Sequence, residues 1–134
     1  MAKKIFINLP VEDLKKSMDF YSKIGFTNNP TFTDETAACM VLTDEIFVML
    51  LTHDKFAQFT TRKIINPKNS VGVINALSVD TPEEVAQIVD AAVKGGGNEP
   101  IPAKDYGFMI QRTFEDPSGN LWEVVYMDMS KVPG

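Results

Sequence analysis

The hydrophobic and polar positions of the chain begin with a strand pattern and then change to a helix pattern. Ile5 to Val11 is apolar and β-branched, as a strand requires, and Asp13 opens a segment with helical spacing. One face of that segment is apolar at Leu14, Met18, Tyr21 and Ile24. Gly25 suits the end of this helix. The stretch that follows predicts about three short strands, the clearest at 37–42 and 46–51.

The same order of patterns returns after a polar stretch. Residues 71–79 read as a strand, and Thr81 to Glu84 has the residues of a capping box, with proline in the first turn. The helix that follows has a buried stripe at Val85, Ile88, Val89 and Ala92. Residues 107–114 and 121–127 then read as strands on either side of a type I turn at Asp116 to Gly119.

The two halves can be superposed by residue number. Leu9 to Glu12 matches Leu77 to Asp80 at an offset of 68, and Val48 to Leu51 matches Leu121 to Val124 at an offset of 73. Loop insertions account for the small drift between the two offsets. We therefore predict an internal repeat.

The repeat predicts an α+β fold of two βαβββ modules, with helices near residues 13–24 and 82–94. Module 1 spans about 1–54 and module 2 about 70–134 of one domain, 1–134. Each module is too small to bury its sheet alone, so we expect the two to pack as one curved mixed sheet with a central cleft.

Composition excludes several functional classes. Thirteen Lys and Arg against eighteen Asp and Glu leave a net charge of −5, which disfavours nucleic acid as a partner. No apolar run approaches the roughly 18 residues of a membrane span, and no signal-peptide core follows the first residues, so we expect no membrane partner and a cytoplasmic protein. Cys39 and His53 are the sole residues of their types, which excludes an internal disulfide and histidine-rich zinc sites.

Several short sequence motifs in the two modules resemble those of a known protein family. The motifs that carry it cover nearly the whole chain: VEDL at 11–14, SMDFY at 17–21, IGF at 24–26, GG at 95–96, YGFM at 106–109 and DPSGNLWEV at 116–124. Together they resemble the vicinal-oxygen-chelate superfamily of glyoxalases, bleomycin-resistance proteins and extradiol dioxygenases. The runs at 6–11 and 48–52 are similar to its lactoylglutathione-lyase-related subgroup.

The resemblance implies a place for a divalent metal. In the family, the first and last strands of each module supply the ligands, and the metal polarises vicinal oxygens of the substrate. The corresponding positions here are Phe6 and Ile74 on the first strands and Leu50 and Glu123 on the last strands. Because Glu123 alone can bind a metal, and Asn8 adds at most a weak amide ligand, we predict no metal site and no cofactor.

The role of Glu123 has three possible interpretations. It is a structural carboxylate paired with a cation such as Arg112, an anchor for a ligand, or a general base and hence a catalytic residue. Asn8 either satisfies backbone groups at a strand end or contacts a ligand. We expect His53 to lie in a loop or at a helix start and Cys39 to fill the core as a small hydrophobic residue.

These expectations favour a protein that binds a small, mostly apolar molecule in the cleft, as bleomycin-resistance relatives do. The residues predicted to line that site are Phe6, Asn8, Leu50, Ile74, Met109, Gln111 and Glu123. The alternatives are a lactoylglutathione-lyase-like or dioxygenase-like metalloenzyme and a metal-free acid–base enzyme that uses Glu123. Relatives commonly pair, so we also expect a homodimer, with Phe56, Phe59 and Ile64 as candidate contacts.

Overall fold

The computed structural model describes residues 3–132 and divides the chain into two compact units. The first lies within Met1–Asn66 and the second within Pro67–Gly134. The strands of the described residues form two four-stranded sheets, one in each unit. None of the helices within residues 3–132 combines the length and the hydrophobicity needed to cross a bilayer.

The first unit is a βαβββ module followed by short helical turns. Its elements are β1 (Ile5–Val11), α1 (Leu14–Lys23), β2 (Thr27–Asn29), β3 (Ala37–Val41), β4 (Ile46–Thr52) and α2 (His53–Phe56), with 3-10 turns at Pro30–Phe32 and Ala57–Phe59. The strand order is β1-β4-β3-β2, in which β1 runs parallel to β4 and the other neighbours are antiparallel.

The second unit repeats this arrangement. Its elements are β5 (Asn75–Val79), α3 (Pro82–Lys94), β6 (Lys104–Asp105), β7 (Met109–Glu115) and β8 (Leu121–Met127), with a 3-10 turn at Met129–Lys131. The strand order is β5-β8-β7-β6, and β5 runs parallel to β8. The predicted α+β class with two βαβββ modules is therefore confirmed.

Two details differ from the sequence prediction. The strand expected from Val71 begins only at Asn75, because the four residues before it pair with no neighbouring strand. The eight strands form two separate hydrogen-bonded sheets of four strands, one in each module, and not one continuous sheet. Both predicted helices are present, at Leu14–Lys23 and Pro82–Lys94.

Side-chain caps define where both long helices begin. The Asp13 carboxylate accepts a hydrogen bond from the backbone N–H of Lys16 at 3.0 Å, and the Thr81 hydroxyl accepts one from the N–H of Glu84 at 3.2 Å. A cap of this kind stabilises a helix by about 1 kcal/mol. The buried stripe of α1 is centred on Ser17, Phe20 and Tyr21, so only part of the stripe expected from the spacing is correct.

Each sheet has a helix face, which packs against α1 or α3, and an open face on its other side. In the first unit the helix face carries Leu9, Val11, Ala38, Met40, Val48 and Leu50, which are all buried. In the second unit it carries Phe114, Trp122 and Val124, which are fully buried. Burying each of the larger side chains among these contributes roughly 1.5–3 kcal/mol, so packing between sheet and helix supplies a large part of the stability of each unit.

The turn between β7 and β8 is built around a buried carboxylate. Asp116 accepts hydrogen bonds from the backbone N–H groups of Ser118 and Asn120, each at 2.9 Å, and from the Asn120 side-chain amide at 3.0 Å. Gly119 in this turn has a positive φ of 98°. A Cβ on Gly119 would lie 2.7 Å from Cγ of Lys68 and 2.9 Å from its backbone nitrogen. Glycine therefore lets the segment at Lys68 approach the turn.

We predict that Gly119→Ala lowers the free energy of unfolding by more than about 2 kcal/mol, because strain at positive φ adds to a collision with backbone atoms. Gly25→Ala is the matched control, since Gly25 also has a positive φ, of 110°, but a Cβ there meets nothing within 4 Å. Urea denaturation of the two variants measures the difference. Equal losses would contradict the close approach at Lys68.

Candidate functional site

A groove of about 330 Å³ lies in the second unit, on the open face of its sheet. Its floor is formed by β7 and β8, which contribute Thr113, Glu115, Leu121 and Glu123. Its walls are the segment from Pro67 to Val71, Ile74 and the Pro100–Ile101 loop. Ligand pockets in proteins occupy roughly 300–1,000 Å³, so this groove suits a small molecule.

Glu123 is the polar residue near the centre of this face. It is half-buried, and it pairs across the sheet with Ala76 on β5 and Thr113 on β7. Within the part of the chain that the structure describes, its carboxylate makes no hydrogen bond and no ion pair. Trp122 and Val124, its neighbours in sequence, point to the helix face and are fully buried. The core packing of β8 therefore directs Glu123 into the groove.

Arg112 does not pair with Glu123, which corrects one interpretation from the sequence. Arg112 lies on the helix face, where its Nε and Nη2 donate to the two carboxylate oxygens of Glu99 at 2.9 and 2.8 Å. Nη2 also donates to Asp90 of α3 at 3.1 Å. The bidentate hydrogen bonding from Arg112 holds the pKa of the Glu99 carboxyl below its ordinary value. This cluster ties the chain just before Pro100, and hence one groove wall, to β7.

The open face of the first unit carries aromatic and polar residues. Phe6 stacks on Phe47 with ring centroids 4.5 Å apart and ring planes 12° from parallel, and Phe6 is 51% exposed. Asn8 is exposed and is the Cα partner of Met49, which is in turn the partner of Cys39 on β3. Phe6 and Asn8 therefore share one face, as the alternation of side chains along a strand predicts.

Leu50 lies on the other face from Phe6 and Asn8. It pairs with Leu9 and is fully buried against the helix side of the sheet. Asn8 pairs with Met49 as Ala76 pairs with Glu123, so the last strands superpose at an offset of 74 (123 − 49) and not 73. Because side chains alternate, this shift of one residue changes the face, and Met49 takes the place on the open face that the sequence alignment assigned to Leu50.

The structure distributes the other predicted site residues as follows. Ile74 is 47% exposed and lines the groove with Glu123. Met109 and Gln111 are half-buried and alternate with Arg112, so their positions on β7 belong to the open face. His53 is exposed at the start of α2. Cys39 is buried, and burial raises the pKa of its thiol, which keeps it protonated.

The donor set on the open faces does not fit the metal that the family resemblance implies. Phe6, Ile74 and Met49 offer no oxygen or nitrogen ligand, and Asn8 offers only an amide. Among residues 3–132 no three histidine, cysteine, aspartate or glutamate side chains come together in a group able to hold a metal ion. Glu123 in the second unit and the Asn8 amide in the first are each too few, taken within their own sheet, for a tetrahedral or octahedral shell. On this donor set we derive no chemical step through a metal, and the lack of a metal site stays a prediction from the sequence.

Sequence reasoning missed several groove residues. Thr113, Glu115 and Leu121 lie two positions from one another or from Glu123 along β7 and β8, so strand alternation applied to those strands was a usable signal. For the residues of the groove walls, the sequence contains no comparable periodicity. Residues 67–71 and 100–101 are loop segments that are distant in sequence, and they meet the sheet only through tertiary packing.

The chain belongs to the glyoxalase/bleomycin resistance protein/dioxygenase superfamily. The family model of that description matches residues 5–124, which run from the first strand of the first module into the last strand of the second. The match specifies the superfamily and not its lactoylglutathione-lyase-related subgroup. A comparison with curated protein sequences found no significant match.

Solved structures similar to this chain have the same fold. A hypothetical protein from S. aureus is 25% identical, with a TM-score of 0.77 and coverage of 94% of each chain. A glyoxalase-related enzyme from Fulvimarina pelagi is 20% identical, with a TM-score of 0.77 over 94% of this chain and 88% of that one. The fosfomycin resistance protein FosX from Mesorhizobium loti is 11% identical, with a TM-score of 0.69 over 98% and 97%.

We predict that Glu99→Gln lowers the free energy of unfolding at pH 7 by about 1–2 kcal/mol, since a partly buried, charge-assisted pair is lost. The folded-state pKa of Glu99 lies below its ordinary value of 4.5, so this contribution is complete above pH 4.5 and is lost as the pH falls through the folded-state value. Denaturation at several pH values therefore shows the variant converging on the wild-type protein in acid.

Asp90→Asn is the matched control for this prediction. Asp90 contacts the same guanidinium, but its side chain is 60% exposed against 24% for Glu99. We expect a loss below about 0.5 kcal/mol, because solvent screens an exposed pair. A difference for Glu99→Gln that stays constant from pH 7 to pH 3 would contradict the assignment.

Proposed function

We propose that this protein binds a small, mostly apolar molecule and that the groove on the open face of the second sheet is part of the binding site. The observation that carries the proposal is the composition of the groove. Ile74, Ile101 and Leu121 line it, and Glu123 is directed into it without a partner among the described residues. An apolar cavity with few, well-placed polar groups is typical of small-molecule sites.

The donor set supports binding without the metal of the glyoxalases. A carboxylate that lacks further ligands cannot hold a divalent ion tightly, whereas it can orient an organic ligand by hydrogen bonding. Within the first unit taken by itself, Phe6, Asn8 and Met49 on its open face are candidates for a ligand contact of their own. They offer one flat aromatic surface, one amide and one flexible thioether.

A metal-free enzyme that uses Glu123 as a general base is the second candidate. The unpaired carboxylate favours it, because a base must be free to take a proton. A lyase-like or dioxygenase-like enzyme with a metal is the third candidate, and the donor set supports it least. The lactoylglutathione-lyase-related subgroup and a cytoplasmic location remain predictions from sequence.

Glu123→Gln distinguishes these candidates, because it keeps the shape of the side chain and removes its charge. We expect neutral apolar ligands, found by an NMR screen, to bind the variant within about twofold of the wild-type affinity. We also expect no stoichiometric metal in wild-type protein purified without chelator, as measured by elemental mass spectrometry. A base enzyme would instead convert a screened ligand and lose about 10²-fold or more of that turnover in the variant.

The proposal fails if wild-type protein carries one nickel, zinc, iron or manganese ion per chain and Glu123→Gln removes it. Glu115→Gln is the matched control for the screen and the metal measurement. Glu115 lines the same groove, but its carboxylate already accepts a hydrogen bond from the Asn98 amide at 3.3 Å. We expect this variant to resemble the wild-type protein in both measurements.

We propose further that the chain forms a homodimer. β1 and β5 are edge strands of their sheets, and an unpaired strand edge favours association. Phe56, Phe59 and Ile64 remain the candidate contacts; Phe59 is 68% exposed, with the Lys55 amino group 5.8 Å from its ring centre. A large exposed aromatic residue of this kind is enriched at interfaces.

We expect sedimentation equilibrium at micromolar concentration to give twice the chain mass of 14.9 kDa, and Phe59→Ser to weaken the dimer at least tenfold. Phe32→Ser is the matched control, because Phe32 is equally exposed, at 67%, in a separate 3-10 turn. A wild-type monomer at this concentration contradicts the dimer. Equal weakening by both variants contradicts the contact at Phe59.

A further inference from the structure

Because the carboxylate of Glu123 is unpaired among the described residues, its charge limits which class of ligand can fill the groove. A half-buried carboxylate retains part of its hydration while the groove is open to solvent. A ligand that fills the groove removes this water, and an apolar ligand returns no interaction in its place. A ligand that brings a positive charge to Glu123 compensates the carboxylate, so the site favours cations over neutral molecules of the same shape.

A second acidic residue adds to this preference. Glu115 lines the same groove and lies on the same face of the sheet, two residues beyond Thr113 on β7. Its carboxylate is engaged by the Asn98 amide, which is neutral, so its negative charge remains in the groove. Lys68 on the wall offsets one of the two carboxylates, so the lining keeps an excess of one negative charge, which favours a cationic over an anionic ligand.

The groove is better suited to an organic cation than to a metal ion. Among the described residues no third carboxylate, histidine or cysteine joins Glu115 and Glu123 in a metal-binding group. The walls carry Lys68, Asn69 and Ser70 on one segment, but most of their exposed surface comes from apolar groups, with the large side chains of Val71, Ile74 and Ile101 exposed. Such walls bind a hydrocarbon or aromatic body, which a hydrated metal ion lacks.

We propose that the ligand is a small organic amine, protonated at neutral pH, whose compact apolar body contacts Ile74 and Ile101 while its ammonium group binds Glu123. This inference rests on the proposed binding function and specifies its ligand class. A volume of about 330 Å³ limits the apolar body to one or two rings. Glu123 anchors the ammonium group and Glu115 adds attraction at longer range.

Three indole probes that share one ring system and differ in charge test the proposal: tryptamine and tryptophol, which match in size, and the slightly longer indole-3-propionate. We expect NMR titration of the wild-type protein at pH 7 to show tryptamine binding at least tenfold more tightly than tryptophol, and indole-3-propionate binding most weakly. In Glu123→Gln the tenfold preference disappears while tryptophol binds within about twofold of its wild-type affinity. The unchanged tryptophol affinity also shows that the variant is folded.

Glu115→Gln is the matched control within the groove, and we expect it to reduce the preference for tryptamine by less than threefold. Equal binding of tryptamine and tryptophol overturns the cation inference and leaves the proposed binding function standing. Tightest binding of indole-3-propionate also overturns it, and assigns recognition to Lys68 on the groove wall. If none of the three probes binds, and the neutral-ligand screen also fails, both proposals are overturned.

Discussion

The alternation of side chains along β8, enforced by packing against α3, is the constraint on which the candidate site depends. Trp122 and Val124 are fully buried on the helix face, and a strand has no freedom to turn one residue independently of its neighbours. Burial of these two large apolar side chains stabilises the fold by roughly 1.5–3 kcal/mol each. Glu123 therefore points to the open face, and the solvation of its carboxylate does not decide this orientation.

The walls of the groove depend on two further contacts that lie outside the sheet ladder. Gly119 lets the backbone at Lys68 approach the β7–β8 turn, which the buried Asp116 carboxylate organises. Arg112 binds Glu99 just before the Pro100–Ile101 loop. The two segments on the walls are thus fixed by a turn and an ion pair, so substitutions at these positions alter the groove without touching its floor.

The chain has the fold of the glyoxalase/bleomycin resistance protein/dioxygenase superfamily, and its open faces carry few oxygen or nitrogen donors at the positions in question. At the positions that the family resemblance assigns to metal ligands, aromatic and aliphatic side chains accompany one carboxylate. A fold supplies faces and pockets, whereas the side chains on those faces decide the reaction. On the open face of the second sheet, those side chains are the ones from which we propose the binding of an apolar ligand with one charged contact.

The sequence by itself determined the two βαβββ modules and both long helices, because period and caps are local properties. Strand alternation also placed Phe6 with Asn8 on one face of the first sheet, and Glu123 on the opposite face of the second sheet from Trp122. The sequence did not determine the register between β1 and β4, which placed Leu50 on the helix face and Met49 on the open face. It also contained no indication that Arg112 binds Glu99 and leaves Glu123 unpaired. Register, loop approach and ion-pair choice depend on contacts between residues distant in sequence, which only the tertiary structure decides.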